Sequence, residues 1–265
     1  MPVALIGQSL NPTGCARLEA ALTAQEPDFP LQLARRQLDA GAAILDINGG
    51  GGANEARRLC WLARTVRAAF PTATLALDSG SQGALSAAAR MCSGPVILNS
   101  ACCREASWQT LFPLARRIGA AVILLPLGEG RLPQTAEERV KRLSRLLDRA
   151  LEAGLPRERV WADCLALPEI TCPSQRDEAL RAVELVRTRL GLETVLGISN
   201  VSYGASDRSA RNAAFLRDAL QAGLTRPILD PCDSRIQAVL GDAGEGNALF
   251  LVEKAVQKDL TGDGA

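Results

Sequence analysis

The chain of 265 residues contains no histidine. That absence removes Ser-His-Asp and Cys-His nucleophile systems, His-ligated zinc or iron, and imidazole acid–base catalysis. Lysine is nearly missing too: only Lys141, Lys254 and Lys258 occur, all in helix-like polar runs. They supply no Gly-Lys-Ser/Thr phosphate loop and no obvious Schiff-base lysine. Three Trp, five Phe and one Tyr are too few for base-stacking platforms. With 30 Lys+Arg against 29 Asp+Glu, the net charge of +1 exerts no general pull on nucleic acid or an anionic membrane. Long hydrophobic runs are also lacking. The longest, Ala120 to Leu127, is too short to cross a bilayer. The opening Met-Pro-Val-Ala-Leu-Ile-Gly has no charged region and too little apolar length for an export signal. The expectation is a soluble cytoplasmic protein. Its eight cysteines form no Cys-x-x-Cys pair and read as reduced thiols.

What the sequence does contain is alternation. A chain of this length can bury roughly three quarters of its unfolded surface, enough for a full core. Short aliphatic runs recur at Val3–Ile6, Ala43–Ile47, Thr74–Leu77, Pro95–Leu98, Ala121–Leu125, Arg159–Ala162, Thr194–Ile198 and Pro227–Leu229. Such continuous runs suit strands of a parallel sheet covered on both faces. Between them lie amphipathic patterns near 31–40, 54–69, 81–92, 105–118, 135–153, 176–190, 210–222 and 243–257. The 135–153 stretch opens with a Thr135-x-x-Glu138 capping box. Eight strand–helix units match a single (β/α)8 TIM barrel over residues 1–260, with 261–265 as a flexible tail. A doubly wound open sheet is the rival architecture.

In such a barrel chemistry gathers where the strands end. The second predicted strand ends in Asp46-Ile47-Asn48, the third in Asp78-Ser79, the fourth in Asn99-Ser100 and the sixth in Asp163. The seventh ends in Gly197-Ile198-Ser199-Asn200 and the eighth in Asp230-Pro231. Any one of these is explained by a helix cap or turn; the whole ring points to a polar pocket. A carboxylate ring could hold a hard cation, but half of this ring is carboxamide. The mixture of donors and acceptors suits a flat heterocycle with an aminopyrimidinone edge, such as a pterin or a guanine-like ring.

These residues resemble the methyltetrahydrofolate:corrinoid methyltransferases, which share a pterin-binding barrel with the folate module of cobalamin-dependent methionine synthase and with dihydropteroate synthase. The matching pieces run in order: Ile6-Gly7, Leu45-Asp46-Ile47-Asn48, Leu77-Asp78-Ser79, Leu98-Asn99-Ser100, Asp163, Gly197-Ile198-Ser199-Asn200-Val201-Ser202, Asn212 with Phe215, and Asp230-Pro231. The resemblance implies that Asp78, Asn99 and Asp163 hold the pyrimidine edge, and that Asn200 reaches N5, the atom carrying the methyl group. Gly197 and Ser199 would shape the adjacent loop, with Asp46, Asn48 and Asp230 as further substrate-binding positions. It implies tetrahydrofolate or 5-methyltetrahydrofolate as substrate, a corrinoid (cobalamin) on a partner protein, and a homodimer. Asn200 and Asp163 would then carry the catalysis, with no metal bound by the chain itself.

The sequence departs from the family pattern at Gly7-Gln8-Ser9, where many relatives have an acidic residue and an arginine, and at Tyr203. The run Gly49–Gly52 reads as a flexible turn or as room for close corrinoid approach. Arg208 reads as a contact for a glutamate tail or as a solvated side chain, and Arg57, Arg58, Arg64 and Arg67 as a charged outer face. A dihydropteroate synthase-like enzyme and a non-catalytic pterin-binding protein are the alternatives. The first expects a late Arg-x-His element that a histidine-free chain lacks.

Overall fold

The computed structural model describes residues 3–128, 130–170 and 173–246. Its centre is a closed parallel barrel in chain order. The strands are β1 (Ile6–Leu10), β2 (Ile44–Asn48), β3 (Thr74–Asp78), β4 (Val96–Cys102), β5 (Ala121–Leu125), β6 (Val160–Asp163), β7 (Glu193–Gly197) and β8 (Arg226–Leu229). Ile6 lies opposite both Ile44 of β2 and Ile228 of β8, which closes the ring and rules out the open sheet. Around it run α1 (Ala16–Ala24), α2 (Asp28–Asp39), α3 (Glu55–Ala69), α4 (Gln82–Met91), α5 (Glu105–Ile118), α6 (Ala136–Glu152), α7 (Gln175–Leu185), α8 (Arg208–Gln221) and α9 (Ser234–Gly246).

Below the mouth the strands are mainly aliphatic because both their faces are covered. Ala4, Ile6, Ile44, Ala76, Ile97, Ala121, Ile123, Trp161 and Val195 fill the lumen. Their neighbours, such as Leu45, Leu75, Leu98 and Val122, join the layer under the helices. α6 supplies Val140, Leu143, Leu146, Leu147 and Ala150 to that layer. Each fully buried Leu there contributes about 1.5–3 kcal/mol over an exposed one.

Because side chains alternate along a strand, the residue two beyond each luminal aliphatic also faces the lumen, one layer nearer the mouth. That step leads from Ile6 to Gln8, from Ile44 to Asp46 and on to Asn48, and from Ala76 to Asp78. It leads likewise from Ile97 to Asn99, Trp161 to Asp163, and Val195 to Gly197. The dry floor and the polar rim are thus one pattern.

Several boundaries differ from the sequence reading. β1 runs over Ile6–Leu10 rather than Val3–Ile6: its upper half is polar because it lines the mouth. β4 continues past Ser100 to Cys102 through a register irregularity between Asn99 and Ala101. α1 had no counterpart in the sequence reading. The last helix starts at Ser234, and the expected stretch beyond 246 lies outside the described residues, as does the 261–265 tail. At α6, Thr135 Oγ1 accepts from the Glu138 N–H at 3.2 Å, and the Glu138 carboxylate reaches back chiefly to the Gln134 N–H at 2.7 Å and more weakly to that of Thr135. Arg67 does not belong to a charged outer face. It is buried, and its guanidinium donates to the carbonyls of Pro71, Ala73 and Pro95 beneath the barrel. Cys15, Cys60, Cys92, Cys102, Cys164 and Cys232 are free thiols.

Candidate functional site

Register brings the strand-end residues into contact. Asn48 lies opposite Asp78, and Asp78 opposite Asn99. Asn48 Nδ2 donates to Asp78 Oδ2 at 2.8 Å, and Asn99 Nδ2 donates to Asp46 Oδ1 at 3.0 Å. Each carboxamide thereby serves a carboxylate on a different strand. Asn48 Oδ1 also accepts the Gly50 N–H at 2.7 Å, so the glycine run starts as a turn folded back onto the mouth. Gly49 is required there: a Cβ would lie 2.6 Å from the Glu55 carbonyl oxygen and 2.8 Å from the Leu59 nitrogen. This close approach seats the start of α3 against β2. From α3, Glu55 accepts a short hydrogen bond from Ser79 Oγ.

Three carboxyls share this space, and their acidities record it. Burial pushes Asp78 up to about 6; the Asn48 hydrogen bond opposes the rise and the Glu55 charge adds to it. Burial likewise pushes Asp163 up to about 6, against the Leu165 N–H and the Arg139 charge, with Asp78 adding to the rise. Asp46 is held well above the ordinary carboxylate range by burial and then by the Asp78 charge, although Asn99 donates to it. Desolvation disfavours the charged form and each neighbouring anion deepens the effect. Among the described residues, each of the three has one oxygen hydrogen-bonded to protein and the other without a protein partner. The floor of the mouth is a set of acceptors suited to a ligand that brings N–H groups.

Asn200 sits apart from this floor, exposed at the rim in the turn that follows β7. Its carboxamide rests over Gly197, where an added Cβ would come within 2.7 Å of Nδ2. Ser199 Oγ donates to Gln8 Oε1 at 2.7 Å, tying this turn to β1. The Gln8 that departs from the family pattern is therefore part of the site's frame. Arg208 clamps the turn: Nε donates to Ser202 Oγ at 3.2 Å and Nη2 to the Ser199 carbonyl at 3.1 Å. Asp230 Oδ1 accepts the Cys232 N–H at 2.9 Å, an ordinary turn contact. Tyr203 is 63% exposed.

Three contributors escape sequence reading: Gln8, Glu55 and the fully buried Arg139. The helix residues act across elements and leave no periodic signature. Gln8 had a weak one, lying two residues beyond Ile6 on an apolar run. Among the described residues no group of three or more Cys, Asp or Glu is arranged to hold a metal ion, and no helix is long and apolar enough to cross a membrane.

Comparison with known proteins matches this geometry. Over 244 residues, covering 86% of this chain, the sequence is 28% identical to methionine synthase of Mycobacterium leprae. The chain spans about a fifth of the length of that relative. It is 23% identical over 231 residues to the methylcorrinoid:tetrahydrofolate methyltransferase of Eubacterium limosum, covering 86% of this chain and 84% of that one. Among solved structures, a Yersinia pestis dihydropteroate synthase with a pterin–sulfa conjugate superposes with a TM-score of 0.70 at 16% identity, covering 92% of this chain and 93% of that one. The Thermus thermophilus dihydropteroate synthase does so at 0.70 and 20% identity, with 93% and 95% covered; at such identities the likeness establishes the barrel alone. The model of pterin binding enzymes matches residues 7–230, from the glycine of β1 to the aspartate that follows β8. The chain belongs to the pterin binding enzyme family.

Proposed function

We propose that the chain moves a methyl group between N5 of tetrahydrofolate and the cobalt of a corrinoid held on a separate partner protein. The observation that carries this reading is a carboxamide, Asn200, standing at the rim above a floor of buried carboxyls. Asp78, Asn99 and Asp163 take the pyrimidine edge of the pterin, with Asp46 and Asn48 holding two of them in place. Gly197 leaves room for the Asn200 carboxamide, Ser199 fixes the turn that carries it, and Asp230 borders the mouth beyond β8. The likeness to a methylcorrinoid:tetrahydrofolate methyltransferase over most of that protein's length supports the same class of reaction.

The partner's corrinoid supplies the metal centre that accepts or gives up the methyl group. The chain's own residues act on the pterin. When the N5–methyl bond breaks, N5 keeps the bonding pair, and a tertiary amine leaves poorly unless a donor meets it. Asn200 Nδ2 donates to N5, and the amide is placed in advance, so little reorganisation is needed as charge develops. Asp163, titrating at about 6, sits in the range where a carboxyl can pass a proton near neutrality.

The test is incubation with 5-methyltetrahydrofolate and Co(I) cobalamin while the cobalt spectrum is followed. Methylcobalamin forms, and Asn200→Ala slows its formation by about 10²–10³-fold while folate affinity falls less. Folate binding without methylcobalamin overturns the reaction and leaves a pterin-binding protein. Formation of dihydropteroate from 4-aminobenzoate and a dihydropterin donor instead establishes the synthase reading.

A further inference from the structure

We propose that Arg139, outside the barrel on α6, is a positioning residue that fixes the geometry and charge of Asp163 from behind the β6 turn. The inference rests on the reading of Asp163 as a pterin-holding carboxylate.

Arg139 is among the largest fully buried side chains, in the first turn of α6. Burying a guanidinium is costly unless its N–H groups are used. Here Nη1 donates to the Cys164 carbonyl at 3.3 Å, and Nη2 makes a short hydrogen bond to Gln175 Oε1. Gln175 opens α7 and is itself buried, with Nε2 donating to the Gln134 carbonyl at 2.8 Å. One side chain therefore ties the starts of α6 and α7 to the peptide that follows Asp163.

That peptide belongs to an unusual turn. Leu165 is one of two described non-glycine residues with positive φ, at 63°. Its N–H donates to Asp163 Oδ1 at 2.7 Å, while the Cys164 N–H donates to the Val195 carbonyl at 3.0 Å. A leucine in the left-handed region costs of order 1–3 kcal/mol and persists only where the surroundings over-determine it. Arg139 supplies part of that constraint by holding the Cys164 carbonyl. The result is an Asp163 carboxylate aimed into the lumen with one oxygen fixed.

The charges facing Asp163 can be named. Asp78 faces it from β3 and raises its pKa; Arg139 faces it from α6 and lowers it. Val195, opposite Asp163 on β7, and Leu124, opposite the adjacent Ala162 on β5, carry no charge. Below them Glu193 pairs with Arg226 at 3.6 Å. Next to Asp163, the Cys164 thiol is pushed well up by burial and by Asp163 itself, so it adds no charge near neutrality. Arg139 is thus the one cation among these groups that favours ionised Asp163.

The test reads Asp163 directly, in the full-length protein without ligand. Its carboxyl carbon is followed by ¹³C NMR across pH and assigned with Asp163→Asn. In Arg139→Gln the Asp163 midpoint shifts upward, because the opposing cation is gone; in Arg139→Lys it stays near the wild-type value. Gln175→Glu sets an anion against the Arg139 guanidinium, and it shifts the midpoint upward with the arginine still present, which covers the case of a poorly folded Arg139→Gln. An unmoved midpoint in both Arg139→Gln and Gln175→Glu overturns the proposal, whether or not the protein binds folate. Calorimetry with 5-methyltetrahydrofolate separates the two readings. Loss of affinity in Arg139→Gln that is larger near pH 6 than near pH 8, restored in Arg139→Lys, is the expected result. A shifted midpoint with unchanged affinity keeps the electrostatic link and refutes Asp163 as the ligand-holding group.

Discussion

Asp163→Asn exchanges a buried ionisable carboxyl for a neutral amide of the same shape, which still offers an oxygen to the Leu165 N–H. The wild-type group titrates at about 6 rather than 3.8, and burial is the largest cause. Between those values the folded protein binds more protons than the unfolded chain. Stability therefore falls as pH rises through the window, and the loss is complete above it. At about 1.36 kcal/mol per unit, ionised Asp163 costs the wild-type fold about 3 kcal/mol at neutral pH. Groups common to both proteins cancel in the comparison, apart from Asp78, whose own ionisation is eased once Asp163 is neutral. The assay is urea denaturation of wild type and variant at steps from about pH 4 to about pH 7.5. Asp163→Asn should gain on wild type by about 2 kcal/mol across that range, most of it between pH 4 and pH 6. A stability difference that stays constant with pH refutes the reasoning, because it means that Asp163 pays no desolvation cost. The same variant should bind folate less well, so that stability and affinity move in opposite directions.

Asp78→Asn replaces an acceptor by an amide that must still face the Asn48 donor. Folate affinity should fall about 10–100-fold, as for a lost charge-assisted bond; unchanged affinity in calorimetry removes Asp78 from the pyrimidine edge. Gly197→Ala places a methyl group 2.7 Å from Asn200 Nδ2 and forces the carboxamide aside. Methyl transfer should drop at least about tenfold with folate affinity nearly unchanged, and equal losses in both would show that Asn200 acts in ground-state binding.

The architecture was legible because barrel strands covered on both sides are unbroken aliphatic runs, and because Thr135 and Glu138 mark a helix start. β1 was displaced in the reading for a physical reason: Gln8 and Ser9 look like loop residues, yet they are strand residues at a wet mouth. α1 escaped because its alanine-rich face, with only Leu18, Ala21 and Leu22 buried, has a weak pattern. The polar ring itself could be read one strand end at a time. Which residue serves which could not, since Asn48 meeting Asp78 and Asn99 meeting Asp46 depend on register between strands far apart in sequence. Arg139 and Arg67 were illegible for the opposite reason: charged helix residues look solvated until tertiary structure closes over them.

Two groups of side-chain hydrogen bonds that cross between strand ends at the mouth share no residue. Asp46, Asn48, Asp78 and Asn99 are joined within a segment of about fifty residues on β2, β3 and β4. Gln8 and Ser199 are joined across 191 residues, where the end of β7 meets β1 over the seam that β8 closes. Apart from Asp163 of β6, the side that would grip a ring is therefore local, while the side that would act on it is assembled only when the barrel shuts. Substitutions in the turn after β7 leave the first set of bonds intact, so a barrel of this design can exchange its chemistry at one side of the mouth without rebuilding its grip at the other.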